Sequence, residues 1–272
     1  MISFLLWNVH KNNIPQHIKN IALANDVDVL ILLESNVQQS VLLGLLNDKN
    51  DNKYFYNPNA VCTKAEVYTR FPGSLTEIIK EDNRTTIRHV SIPGASSFLL
   101  AISHFHDKRS WTADDQSSVC NELQDLITSA EKVVKHSRTV LIGDLNMNPF
   151  EAGVVGSLGL HGVSSRKIAL TGNRVVNNKA RPFFYNPTWN LFGDSKGYPP
   201  GTYYFSKSRP IEYFWNIFDQ VLIRPDLINF FNVADLRIIT TNGQGVQLIK
   251  RNGIPNQRLF SDHLPLFFTL SI

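Results

Sequence analysis

The chain alternates short apolar runs with polar residues that close them. Ile2-Ser-Phe-Leu-Leu-Trp runs into Asn8, Val27 to Leu33 runs into Glu34, Ser97 to Ser103 runs into His104, and Thr139 to Ile142 passes Gly143 into Asp144. Runs this short and branched predict buried strands. Pro15 to Asn25 places Ile14, Ile18, Ile21 and Leu23 on or near one face and predicts an amphipathic helix opening at Pro15. Val37 to Leu46 predicts a second helix, and about Thr112 to Lys135 a long third one. A strand–helix–strand–helix opening is that of an α/β protein.

Between Lys53 and Ile92 the runs shorten to Tyr54–Tyr56, Ala65–Tyr68, Leu75–Ile79 and Thr85–Ile92, separated by Asn-Pro, Pro-Gly and Asp-Asn breakers. That spacing predicts antiparallel strands and hairpins. From Gly156 to Ser208 the pattern weakens into Gly, Pro, Asn and aromatics, and so long an irregular stretch is usually functional or mobile. Trp215 to Ile223 predicts a strand containing Asp219, and Ser261-Asp-His-Leu-Pro265 leads into a last strand, Leu266 to Leu270. Neither a repeat nor a linker divides the chain, so a single domain over 1–272 is expected.

The stretch that follows Ile142, Gly-Asp-Leu-Asn-Met-Asn-Pro-Phe-Glu151, is the most informative one. Asp144 and Asn146 are two residues apart, so on an extended chain they face the same way. Asn148 suits a helix N-cap, Pro149 the first helical position and Glu151 a capping-box partner.

Composition narrows the class. Hydrophobic residues make up 43% and charged residues 18% of the chain, which describes an ordinary globular protein and excludes a disordered one. The net charge of +4 fits a polyanionic substrate without demanding one. Two cysteines, Cys62 and Cys120, give neither a disulfide framework nor a paired zinc motif. A reducing compartment follows, with the cytoplasm the expectation. No apolar run approaches the roughly 20 residues needed to span a bilayer, so no membrane partner is expected.

Five strand ends thus carry groups that bind metals or move protons: Asn8, Glu34, His104, the Asp144/Asn146 pair and Asp262/His263, with Asp219 inside a sixth run. Each alone is ordinary, because an Asn or Glu after a strand is usually a turn residue and a lone His usually structural. Their coincidence at strand ends, where α/β scaffolds place chemistry, carries the weight.

The motifs Trp7-Asn8, Leu33-Glu34-Ser35, Ser103-His104, Gly143-Asp-Leu-Asn146, Phe218-Asp-Gln-Val-Leu222 and Ser261-Asp-His-Leu-Pro265 resemble, in order, those of the endonuclease/exonuclease/phosphatase superfamily with its DNase I-like fold. The resemblance implies an α/β (α+β) fold: a four-layer α-β-β-α sandwich of two mixed β-sheets with the site at one edge. It implies Mg²⁺, with Mn²⁺ as a substitute, held by Glu34 with Asn8 and Asp262, a hard-oxygen set that suits this ion. Asp144 would orient or deprotonate the attacking water, and Asn146 would donate to a phosphate oxygen without adding a repelling charge. His263 would contact the scissile phosphate, Asp219 would fix its tautomer, and His104 would be the second imidazole. There are two departures. His10 stands where several relatives carry Asp, and the Tyr-Pro-Asn signature of abasic-site enzymes is absent at Ser103-His104-Phe-His106.

The function implied is a Mg²⁺-dependent phosphodiesterase, foremost a nuclease with nucleic acid as substrate. A phosphatase or phosphodiesterase on an inositol phosphate, sphingomyelin or other small substrate uses the same core residues, and an inactive binding module of the same fold is the third reading. Secondary candidates for substrate contact are His10, Arg109 beside Trp111, and Trp189, with Lys179, Arg181, Lys207 and Arg209 as a positive rim and Arg84 and Arg88 on a hairpin.

Overall fold

A computed structural model describes residues 1–48, 53–194, 197–208 and 210–272. Arg209 lies outside the described residues. Two sheets form the frame. The first has the order β16-β17-β1-β2-β4-β3, from Arg237–Ile238, Leu266–Leu270, Ile2–Asn8, Val29–Leu33, Ala65–Thr69 and Phe55–Tyr56. The second has the order β5-β6-β7-β8-β15-β12-β9, from Thr76–Glu81, Thr85–Val90, Phe98–His104, Thr139–Asp144, Asp219–Ile223, Phe184–Tyr185 and Gly162–Val163. Both are mixed: β1 and β2 run parallel, as do β7 and β8, among otherwise mostly antiparallel neighbours.

The period of two along each strand sorts the core into three layers. Phe4 and Leu6 of β1 and Ile31 of β2 meet Leu100, Ile102, Val140 and Ile142 of the second sheet. The alternate residues Leu5, Trp7, Leu30 and Leu32 turn outward, under Ile18 and Ile21 of α1 (Pro15–Ala24) and Leu42 and Leu46 of α2 (Gln39–Leu46). On the other side Leu99, Ala101 and Leu141 pack under Cys120, Leu123 and Ile127 of α3 (Ala113–Val134). This is the expected four-layer α-β-β-α sandwich. Strands buried on both faces need no polar alternation, which is why they read as continuous apolar runs.

Helix α3 begins at a reciprocal capping box between Thr112 and Asp115 and ends at Lys135, whose left-handed φ of 59° stops it. Buried Arg224 fastens it to the second sheet, donating to Glu131 Oε1 at 2.9 Å and to the Phe183 carbonyl at 3.2 Å.

Two expectations are corrected. The run Trp215–Ile223 is two strands: β14 (Trp215–Asn216) pairs with β13 (Tyr203–Tyr204) in a ribbon, and β15 starts only at Asp219. The helix expected from Asn148 starts later, as the single turn α4 (Ala152–Val155). Glu151 does accept from the Asn148 backbone N–H at 2.7 Å. The Asn148 side chain, however, is taken by the segment before β15, donating to Asn216 Oδ1 at 2.8 Å and accepting from Ile217 N–H at 2.9 Å. A long-range partner thus outcompetes the local cap. The irregular stretch contributes β9, β12, a one-turn helix α5 (Arg166–Ala169), and a ribbon of β10 (Asn173–Val176) and β11 (Lys179–Pro182). No helix among the described residues is long and apolar enough to cross a membrane.

Candidate active site

Strand register assembles the site. His104 pairs with Asp144 across β7 and β8, and Asp144 pairs with Asp219 across β8 and β15, so three adjacent strand ends present His104, Asp144 and Asp219 side by side. This close pairing needs Gly143, because a Cβ there would meet the Ser103 carbonyl oxygen at 1.9 Å. The first sheet supplies the opposite wall. Asn8 pairs with Leu33, so Asn8 and Glu34 are neighbours at the ends of β1 and β2. The Ser261 hydroxyl donates to the Asn8 carbonyl at 2.6 Å and the Trp7 indole to the His263 carbonyl at 3.0 Å, holding Asp262 and His263 against β1.

The two walls meet at Asp144, which is 1% exposed. Its Oδ2 accepts from Asn8 Nδ2 at 3.0 Å and its Oδ1 from the Asn146 N–H at 2.9 Å. His263 Nε2 lies 3.7 Å and His104 Nε2 3.9 Å from Oδ2. Asn146 has φ of 49° and donates Nδ2 to the Phe105 carbonyl at 3.1 Å, while Gln116 braces its own carbonyl at 3.1 Å. Asparagine tolerates that left-handed backbone. Glu34, at φ 49°, does not share that ease, and strain of this kind gathers at functional sites.

His263 Nδ1 and Asp219 Oδ2 are 2.7 Å apart, both buried. Burial works against the imidazolium, but Asp219 and Asp144 outweigh it and push His263 up to about 10. Burial also raises the Asp219 carboxyl despite its imidazole partner. The dyad therefore holds a proton at neutral pH, and a charged His263 is a hydrogen-bond donor on both nitrogens. Tyr203, placed by the sequence only within an aromatic region, lies with its ring centre 4.8 Å from that of His263 and tilted by 44°, and its phenol is raised to about 12, by burial first and then by Asp262 and Asp144. Thr202, whose hydroxyl accepts from the Asp219 N–H at 3.3 Å, carried no sequence signal. It reaches the site only because the β13–β14 ribbon folds back.

Glu34, Asn8 and Asp262 form an oxygen-only donor set on adjacent backbone segments. The Glu34 carboxylate meets only His104 Nε2, at 3.4 Å, among the described residues, which leaves lone pairs for a cation. The chemistry of this set fits a hard divalent ion. A second group, Asp144, Asp219 and His263, offers one ligand atom each within 4.8 Å of one another. There His263 Nδ1 is already engaged with Asp219 Oδ2, which suits that group less well to a metal.

The secondary candidates scatter. His10 sits at the rim, its Nδ1 3.3 Å from Asp262 Oδ1. Arg109 is 89% exposed and paired with Asp107, and Trp111 stacks on His106, so neither joins the cluster. Arg84 donates to the His104 carbonyl at 3.0 Å beside the site. Arg88 is buried and serves the Asn57 and Pro58 carbonyls, a structural part rather than a phosphate contact. Trp189 lines a separate cavity of about 400 Å³.

The Endonuclease/Exonuclease/phosphatase family matches residues 5–263, and this decides the affiliation. The chain belongs to that family. Its members generally hydrolyse phosphoester bonds with divalent metals. No curated protein matches the chain. Solved structures share the fold. The endonuclease domain of TRAS1, a telomere-specific non-LTR retrotransposon, is 12% identical with a TM-score of 0.54, over 100% of this chain and 99% of that one. A family protein from Leptotrichia buccalis is 13% identical with a TM-score of 0.55 and full coverage of both chains. TDP2 of D. rerio, complexed with a single-strand DNA product, is 14% identical with a TM-score of 0.53, over 98% and 97% of the two chains.

Proposed function

We propose that this family member is a Mg²⁺-dependent phosphodiesterase that cleaves nucleic acid, with Mn²⁺ as a competent substitute. The observation that carries the reading is Asp144: a carboxylate fixed by two amide donors, with an imidazole on either side and an oxygen donor set across from it. The ion, on Glu34, Asn8 and Asp262, would supply charge neutralisation at the phosphoryl group.

The protein's own groups do the rest. Asp144 accepts a hydrogen bond from the attacking water and orients it. His263 donates its Nε2 proton to a phosphoryl oxygen while Asp219 holds the ring's tautomer and angle. Asn146 keeps one amide hydrogen beyond its bond to Phe105 and offers it to the same phosphate. His104, between Glu34 and Asp144, serves as the second imidazole. Electrostatic stabilisation from fixed donors is usually the largest contribution in such sites. Support for a nucleic-acid substrate comes from the net charge of +4 and from TRAS1 and TDP2 sharing the fold. We also read residues 1–272 as one domain, because the first and last strands pair.

The test is a Mg²⁺ activity panel on plasmid, single-stranded DNA, RNA, inositol phosphates and a generic phosphodiester, run with wild type and Asp144→Asn. Cleavage of a nucleic acid that stops with EDTA, resumes with Mg²⁺ and is lost in the variant is the expected result. Hydrolysis confined to inositol phosphates would overturn the nuclease reading, and undiminished turnover by Asp144→Asn would overturn the site.

A further inference from the structure

The β10–β11 ribbon sets Arg174 directly opposite Arg181. Like charges facing each other across an antiparallel pair destabilise it, and among the described residues neither arginine has an acidic partner. Arg174 is held in place. Its Nε donates to His161 Nε2 at 3.0 Å, and His161 Nδ1 in turn donates to the Pro182 carbonyl at 3.2 Å. That pairing fixes His161 as a neutral, buried acceptor, and burial, then Arg174, keeps its pKa low. The two terminal nitrogens of Arg174 make no hydrogen bond among the described residues. Arg181 Nε and Trp189 Nε1 are buried and also without partners there.

Arg174, His161 and Trp189 line the cavity of about 400 Å³, together with apolar Val163, Ile168 and Phe183. The lining thus combines unpaired N–H donors with an aromatic and aliphatic wall. Donors without acceptors select an anion, and an arginine fork suits a phosphate. An indole wall suits a planar ring. The cavity is also linked to the catalytic cluster. Phe150, which follows the Asp144 strand, meets the Trp189 ring edge-on at 6.2 Å, and Asn186, just before Trp189, donates to Gln220 beside Asp219 at 2.8 Å.

We infer that this cavity is a nucleotide subsite, taking a phosphate on Arg174, with Arg181 facing it across the ribbon from outside the cavity lining, and a base against Trp189, and that it engages a nucleotide of the substrate away from the bond being cut. The inference rests on the nucleic-acid reading of the active site, and it names where specificity for a longer strand resides.

The test uses the full chain and separates the two readings. Tryptophan fluorescence is titrated with AMP and with inorganic phosphate, in wild type, Arg174→Gln/Arg181→Gln and Trp189→Phe. Saturable quenching by AMP that is lost in Trp189→Phe and weakened about tenfold in the double variant is expected, with inorganic phosphate binding more weakly. Steady-state kinetics then compare a single-stranded oligonucleotide with a small generic phosphodiester. The double variant is expected to raise KM for the oligonucleotide about tenfold at unchanged kcat, leave the small diester untouched, and flatten the salt dependence of strand binding by roughly one unit of log–log slope. Absent quenching, AMP binding equal in the double variant, or equal affinity for inorganic phosphate would overturn the subsite whether or not the enzyme proves to be a nuclease. If AMP binds as expected while only non-nucleic-acid substrates turn over, the nuclease reading fails and the pocket stands as a site for free nucleotide.

Discussion

The His104–Asp144–Asp219 row and the β10–β11 ribbon differ in what holds their polar groups. In the row, every strand is buried on both faces, Asp144 and Asp219 are held by hydrogen bonds from other elements, and His104 lies 3.4 Å from Glu34. On the ribbon, Val175 is 70% exposed and Arg174 faces Arg181 with one histidine as support. Rigid placement suits bond making, where small displacements cost rate. A small, exposed, cationic ribbon suits recognition of an extended anion. One family fold can thus keep its chemistry constant and vary its substrate through the loops.

The largest effect expected is on turnover. Asp144→Asn keeps shape and hydrogen-bond reach but loses the carboxylate, and should lower kcat by about 10²–10⁴-fold with little change in Tm; turnover within threefold of wild type would break the contrast. Asp219→Asn, which takes away the carboxylate paired with His263 Nδ1, should lower kcat by a similar order, read by single-turnover kinetics.

Next come stability effects, measured by urea denaturation. Removing the Arg224 side chain with Ala leaves Glu131 in the α3 interface with the Thr139 hydroxyl but without its cationic partner, and should cost about 3–5 kcal/mol. Leu141→Ala beneath α3 should cost roughly 2–5 kcal/mol, whereas Val175→Ala on the ribbon should stay within about 0.5 kcal/mol. Equal losses at Leu141 and Val175 would erase the difference between the two regions.

The smallest effect is a pH dependence. His161 has its pKa lowered, by burial first, so its stabilising contribution is fully present above the unfolded value near 6.5 and is lost as pH falls through the lower folded value. His161→Gln should therefore reduce the drop in Tm between pH 7 and pH 5. An unchanged or steeper drop would contradict the neutral His161 that anchors Arg174.

Sequence alone determined the strands whose ends carry the candidate site residues. Ile2–Asn8, Val29–Leu33, Phe98–His104 and Thr139–Asp144 lie within a residue or two of their apolar runs, because strands buried on both faces must be apolar throughout. It determined the long α3 as well, whose amphipathic period and local capping box are written in neighbouring residues. Tertiary structure decided what local patterns cannot encode. The Asn148 side chain went to Asn216 and Ile217 instead of a helix cap, and the run at Trp215–Ile223 divided between a ribbon and a sheet. Trp189 joined a cavity with Arg174 and His161. The physical reason is common to all three. Burial on both faces constrains every residue of a strand, while a loop side chain answers to whichever distant partner the fold brings within reach.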